Sequence, residues 1–244
     1  NGGTLSGAYY NLTLKNTNMT IDQTTGIITV QDYSHSAGTH NLAGILNTRD
    51  FSHTGGTFTC SGSSAINASG IVVITSAWIN TGSTITMSGT TKTLNASQTV
   101  NNLTITGSIN LLTNALNAGG AFVLQAGSFN AQGLTNTITG LATISGGTYS
   151  ASTATQTFNG GLTISGGTFT CGASGVIDVN GAFSLSSGIF TLATSTLYIL
   201  GNLTISNGTT FTKATGGQTL TLDGTANLTD NSITKQDLGA VTIG

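Results

Sequence analysis

The sequence predicts an all-β chain wound as a parallel β-helix, a β-solenoid with about 20 residues in each three-stranded coil. Three observations carry that prediction: a fixed period, short alternating apolar runs within each period, and an almost uncharged composition. The period is plainest around residues 160–170, GGLTISGGTFT, which read as strand, glycine corner, strand. Residues 142–149, ATISGGTY, are a close copy. The first apolar anchor of each copy falls at Leu103, Phe122, Ala142, Leu162, Phe183 and Leu203, at spacings of 19, 20, 20, 21 and 20 residues. Two residues on stand Ile105, Leu124, Ile144, Ile164, Leu185 and Ile205, so that the apolar side chains share one face of a strand.

A corner comes next, at Gly107, Gly127, Gly146-Gly147, Gly166-Gly167, Gly188 and Asn207-Gly208. Gly and Asn are expected to supply the positive φ of such corners. An inward aromatic follows, at Phe129, Tyr149, Phe169, Phe190 and Phe211, and these five are expected to form a structural core ladder. A third strand closes each copy through Ile138, Phe158, Ile177, Leu197 and Leu220. With rungs ~4.8 Å apart, about eleven or twelve coils make a rod of roughly 55 Å. An antiparallel sandwich also has frequent turns, but it has no reason to repeat a whole 20-residue unit with its aromatic and its corner.

Composition agrees. Of 244 residues only 5% are charged, against roughly 25% in an ordinary domain. On adjacent rungs of a stacked coil like charges would face each other, whereas Thr, Ser and Asn do not repel. At 37% hydrophobic and rich in Ile, Leu and Val, the chain can bury a core. Five basic residues and a net charge of −2 give no stripe for nucleic acid. No apolar run approaches the ~20 residues of a membrane span. The chain begins at Asn1 without a signal peptide and is expected to be a mature product or a piece of something longer.

One elongated solenoid is expected over residues 1–244, with irregular coils in 1–100 and regular 19–21-residue repeats in 101–244. Short apolar runs at Leu12 and Leu14, at Ile27, Ile28 and Val30, at 71–74 and at Ile85 continue the pattern loosely. Residues 55–60, GGTFTC, repeat residues 166–171, which places Cys60 and Cys171 at one position of the motif. Residues 32–53 are the most polar stretch and are expected to be loop or irregular coil.

Residues 195–213 (STLYILGNLTISNGTTFTK), with LDGT at 222–225, TKQDLGAVTIG at 234–244 and YYNLTL at 9–14, resemble the repeat regions of very large secreted bacterial proteins. The likeness covers residues 95–244 well and 1–94 poorly. It implies a repetitive parallel β-helix at the cell surface or in an extracellular fibre, and it implies no catalytic residue.

Candidate chemistry is sparse. His35, His40 and His53, with Asp32 and Asp50, fall within about one coil, so that His35 and His53 could stack on neighbouring rungs. A metal site or an acid–base pair is one reading, and polar loop residues are the other. The aspartates at 178, 223, 230 and 237 are spread over several coils and offer no pair at hydrolase separation. Asp178 lies between Ile177 and Val179 and should point outward. Cys60 and Cys171 lie several rungs apart and should not pair within the chain; both are expected to be buried thiols, with an intermolecular link as the lesser alternative. Asn-x-Ser/Thr triplets at Asn11, Asn18, Asn67, Asn95, Asn102, Asn202, Asn207 and Asn227 are candidate glycan acceptors. Four of them, Asn11, Asn102, Asn202 and Asn227, precede Leu-Thr and read as corners.

The function expected is a structural extracellular β-solenoid without enzymatic activity or cofactor: a segment of a surface filament, stalk or adhesin. No cap is visible at either end, and head-to-tail stacking on copies of itself would give an open filament. Carbohydrate recognition or cleavage is the first alternative, tested through Trp78 and Tyr33 as surface aromatics. Ice binding through Thr flanking the aromatics, as at Thr168 and Thr170, is the second.

Overall fold

The computed structural model describes residues 7–172, 175–213 and 219–244. Parallel strands stack as a β-solenoid of about 11 turns, rungs roughly 20 residues apart, and the described residues contain no helix. Each turn visits three faces. The first face runs from Gly7–Leu14 through Ile45–Thr48, Ala65–Ala68, Thr84–Met87 and Asn102–Ile105 to Leu228–Asp230. The second carries Asp50–His53, Val72–Ile74, Lys92–Ala96 and Ser108–Leu111, and continues to Thr210–Lys213. The third face is split. Thr20–Gln23, Thr39–Leu42, Thr57–Ser61 and Ile79–Thr81 form one sheet, and seven strands from Asn117–Ala118 to Ala240–Ile243 form another.

Register follows the period. Leu103, Phe122, Ala142, Leu162, Phe183 and Leu203 are consecutive partners on the first face, and all are buried. On the second face Phe129, Tyr149, Phe169, Phe190 and Phe211 are likewise in register and buried. Their ring centroids lie 5.0, 4.9, 5.2 and 5.1 Å apart in turn. Burying each ring contributes about 1.5–3 kcal/mol, and the offset stacking adds to that.

Four expectations change. Residues 32–53 are not loop: Ile27–His35, Thr39–Leu42, Ile45–Thr48 and Asp50–His53 are all strands. Their polar letters belong partly to the core, where three histidines replace aliphatic side chains.

The GGTFTC copies are not equivalent either. Phe169 lies on the second face, whereas Phe58 lies on the third, paired with His40. The same strand-forming hexapeptide serves at either place because both need an inward aromatic two residues after a glycine pair.

Gly166-Gly167 is a bulge inside a continuous strand, Leu162–Cys171, with register shifts on either side of Ser165. The left-handed glycines are on the rungs above and below it, Gly147 (φ 70°) between strands and Gly188 (φ 94°) within the strand Phe183–Leu192. A Cβ on Gly188 would stand 2.2 Å from the Gly167 carbonyl, so this site admits glycine alone for two reasons.

Asparagine does not supply positive φ at the described corners, where the non-glycine examples are Thr91, Gln132 and Ser152. Asn102 instead bridges rungs: its amide donates to the Ser83 carbonyl and its oxygen accepts from the Ala121 N–H. Asn202 accepts the Asn227 N–H in the same way. Asn11 lies within the strand Gly7–Leu14 rather than at a corner.

The last described turn also holds a partial cover that the repeat pattern did not announce. Residues 231–239 run where a second-face strand would lie, above Thr210–Lys213. Gln236 Oε1 accepts the Phe211 N–H at 3.0 Å, and Leu238 packs on the core. Lys213 takes the core register of Leu192 and donates to the Leu238 and Ala240 carbonyls.

Candidate functional site

The region richest in chemistry is the core of the turns spanning residues 27–60. Inward alternation on Ile27–His35 and Asp50–His53 buries Tyr33, His35, Phe51 and His53, and their neighbours on the third face bury His40 and Phe58. His35 and His53 are register partners with ring centroids 5.0 Å apart and Nδ1 atoms 3.1 Å apart. Phe58 is the hub, touching Tyr33, His35, His40, Phe51, His53 and Trp78.

The tautomers follow from the partners. His53 Nε2 lies 3.1 Å from the Ala77 carbonyl, which can only accept, so Nε2 carries the hydrogen. Neutral His53 then accepts at Nδ1, and His35 Nδ1 must donate. His35 Nε2 is buried without a hydrogen bond of good geometry, and the Gly38 and Ala37 backbone beside the ring favours its protonated form. Tyr33 Oη is 2.7 Å from His40 Nδ1, and His40 Nε2 is also unpartnered.

Burial holds all three histidines below the usual imidazole range, with His35 further depressed by His53. His40 is lowered to about 4, first by burial and then by His35, against a weak opposing pull from Asp22. At neutral pH the cluster is uncharged. Among the described residues no group of three or more His, Cys or Asp side chains could hold a metal ion.

The other predicted residues are dispersed. Asp32 and Asp50 face outward in register, and Arg49 bridges both at 2.7 and 3.3 Å. Asp178 points outward between buried Ile177 and Val179. Cys60 and Cys171 are buried free thiols. Cys60 lies on the third face and Cys171 on the second. Burial pushes the Cys60 thiol up to about 12, which leaves it unreactive. Tyr33 is buried, and Trp78 packs on Phe58 while its indole donates to the Thr99 carbonyl. Tyr33 is therefore not a surface aromatic, whereas Trp78 is half-exposed and lines a shallow pocket with Gly56, Thr57 and Ile79.

Among the sequons, Asn67 and Asn95 are tied into amide and hydroxyl ladders between rungs, as Asn102 is to backbone. Asn207 accepts the Ile233 N–H, and Asn11 and Asn18 are exposed.

Sequence reading missed the longest outward file. On the first face Thr86, Thr104, Thr143, Thr163, Thr204 and Thr229 share one column, interrupted by Val123 and Ser184 and preceded by Thr29, Asn47 and Asn67. Thr shortly after Asn or Gly corners was its visible signal. Beside it, Thr29, Asn47, Arg49, Asn67, Ser69 and Ser88 line a shallow groove of about 390 Å³.

Thr168 and Thr170 flank Phe169 and are half-exposed. Changing both to Ala should lower the stability read from urea unfolding by no more than about 0.5 kcal/mol per site. A larger loss would mean that the outward hydroxyls hold the sheet.

Fold and side-chain placement together define the class: a parallel β-solenoid with a largely apolar buried core and a polar, nearly uncharged exterior. No family model matches the chain, and comparison with curated proteins and with solved structures gives no match either.

Proposed function

We propose that this chain is a structural, non-catalytic rod at the cell surface or outside the cell, a segment of a filament, stalk or adhesin. The observation that carries the reading is the continuity of the ladder: in-register parallel strands follow one another on the first face from Gly7–Leu14 to Leu228–Asp230. Backbone hydrogen bonds of that kind run along the axis and share an axial load among three faces. The neutral Thr, Ser and Asn exterior supports a setting where the rod stacks without self-repulsion.

End-to-end association with copies of the same fold extends the reading. In the last described turn Leu228, Ile233, Val241 and Ile243 are exposed, and Ala240–Ile243 pairs with Thr219–Leu222 on one side. Those features favour a further rung stacked above. Negative-stain imaging and sedimentation of the purified chain should show rods longer than one unit, and Val241→Lys with Ile243→Lys should shorten them. Monomers at high concentration for both proteins would refute the end-to-end part.

Carbohydrate recognition is a second reading, favoured by the groove at Asn47, Arg49 and Asn67, and glycan-array binding that Arg49→Ala abolishes would establish it. Ice binding by the first-face Thr column is a third, decided by thermal hysteresis.

A further inference from the structure

We propose that the stacked His35–His53 pair, with His40 beside it, is an acid-sensitive fastener: it holds the turns of residues 27–60 closed at neutral pH and releases them on acidification, while the aromatic-filled turns beyond stay intact. The geometry makes this a property of these turns. Two imidazoles on neighbouring rungs share one hydrogen between Nδ1 atoms 3.1 Å apart. If both become cationic, two N–H groups face each other across that gap. The core around the pair holds no carboxylate, and Asp22 pulls on His40 only from the surface. Tyr33 and Phe58 flank the pair, and Phe51 and Trp78 complete the aromatic wall around Phe58. The titratable groups facing inward here are the Tyr33 hydroxyl, held neutral by burial, and the Cys60 thiol. Asp32, Asp50 and Arg49 point outward and are engaged with one another at the surface. Asp22 is exposed on the strand next to His40. The column gives its own contrast, because the next rung fills the position of His35 and His53 with Ile74.

For these histidines the folded-state affinity for protons lies below the unfolded value of about 6.5. The unfolded or opened state therefore binds more protons as pH falls. Stability is fully present above about 6.5 and drains away down through the folded values, about 4 for His40. Each unit of depression amounts to about a tenfold shift in the opening equilibrium.

The test is hydrogen exchange with peptide resolution on the full chain, at about pH 7.5 and about pH 4.5 and corrected for intrinsic rates, with Trp78 emission followed in parallel; the two values bracket the free imidazole range. Protection over 27–60 should fall about tenfold or more, while protection over 142–171 should change little. His35→Ile with His53→Ile, which copies the Ile74 rung, should reduce that fall and leave the part that His40 carries. If the double variant does not fold, histidine ring titration by NMR on the wild-type chain decides instead. Rings titrating below about 6.5, together with amide opening, support the fastener. Uniform loss along the rod, an unchanged pH response in the variant, or titration near the free value without opening would overturn it.

Discussion

Phe169→Asp is expected to destroy the turns on either side of it. The native ring is fully buried, stacked on Tyr149 at 4.9 Å and on Phe190 at 5.2 Å, with Phe158 edge-on at 6.0 Å. Removing the ring leaves a cavity, and Phe169→Ala alone should cost about 3–5 kcal/mol. Aspartate adds a carboxylate without a cationic partner in a buried, apolar core, so its loss should exceed that of alanine by several kcal/mol. Urea unfolding followed by circular dichroism measures both. The variant has a signature in pH as well. A buried lone carboxylate has a raised pKa, so the folded state binds more protons than the unfolded one above about 3.9. Acidification should therefore recover part of the stability lost, opposite in sign to the effect expected of the buried histidines. An aspartate variant within about 1 kcal/mol of the native chain would show that the aromatic file does not hold the rod together.

Gln156→Leu is the second large effect. Gln156 is fully buried between the second and third faces. Its Oε1 accepts from the Tyr149 hydroxyl at 2.7 Å and from Asn136 Nδ2 at 2.8 Å. Its Nε2 donates to the Leu134 and Ala154 carbonyls at 3.0 and 3.2 Å. Every hydrogen-bonding position of the amide is filled. Asn136 Oδ1 in turn accepts the Leu116 N–H, so that three rungs share the network. Leucine nearly matches the volume but strands several buried groups at about 1–3 kcal/mol each. The double change Tyr149→Phe with Gln156→Leu removes one of those orphans. It should be less destabilising than the sum of the single changes, and a double-mutant cycle reads the difference. Strict additivity would mean that the hydroxyl and the amide do not depend on each other.

These two residues show unequal legibility. Phe169 was readable because its neighbours recur at fixed spacing and alternate with Thr, and the period places them in one file. Gln156 and Asn136 carry no such mark. A polar letter inside a repeat reads as surface, and only the neighbouring rungs show that it is inward and paired. The three histidines were hidden by the same rule. Residues 32–53 look polar, yet His35, His40 and His53 fall at inward positions whose outward neighbours are Ser34, Asn41 and Ser52.

The pattern of about 20 residues, the inward alternation and the near absence of charge determined the solenoid by themselves, because a stacked coil reuses one local environment at every turn and local rules then suffice. Which face a motif joins was decided by the tertiary structure, as Phe58 and Phe169 show with one hexapeptide on two faces. So were the bulge at Gly166-Gly167, the cover over Phe211 and the burial of the histidines. Each depends on how many residues the chain has spent since the previous rung, and that is settled by the neighbours a side chain meets rather than by the side chain itself.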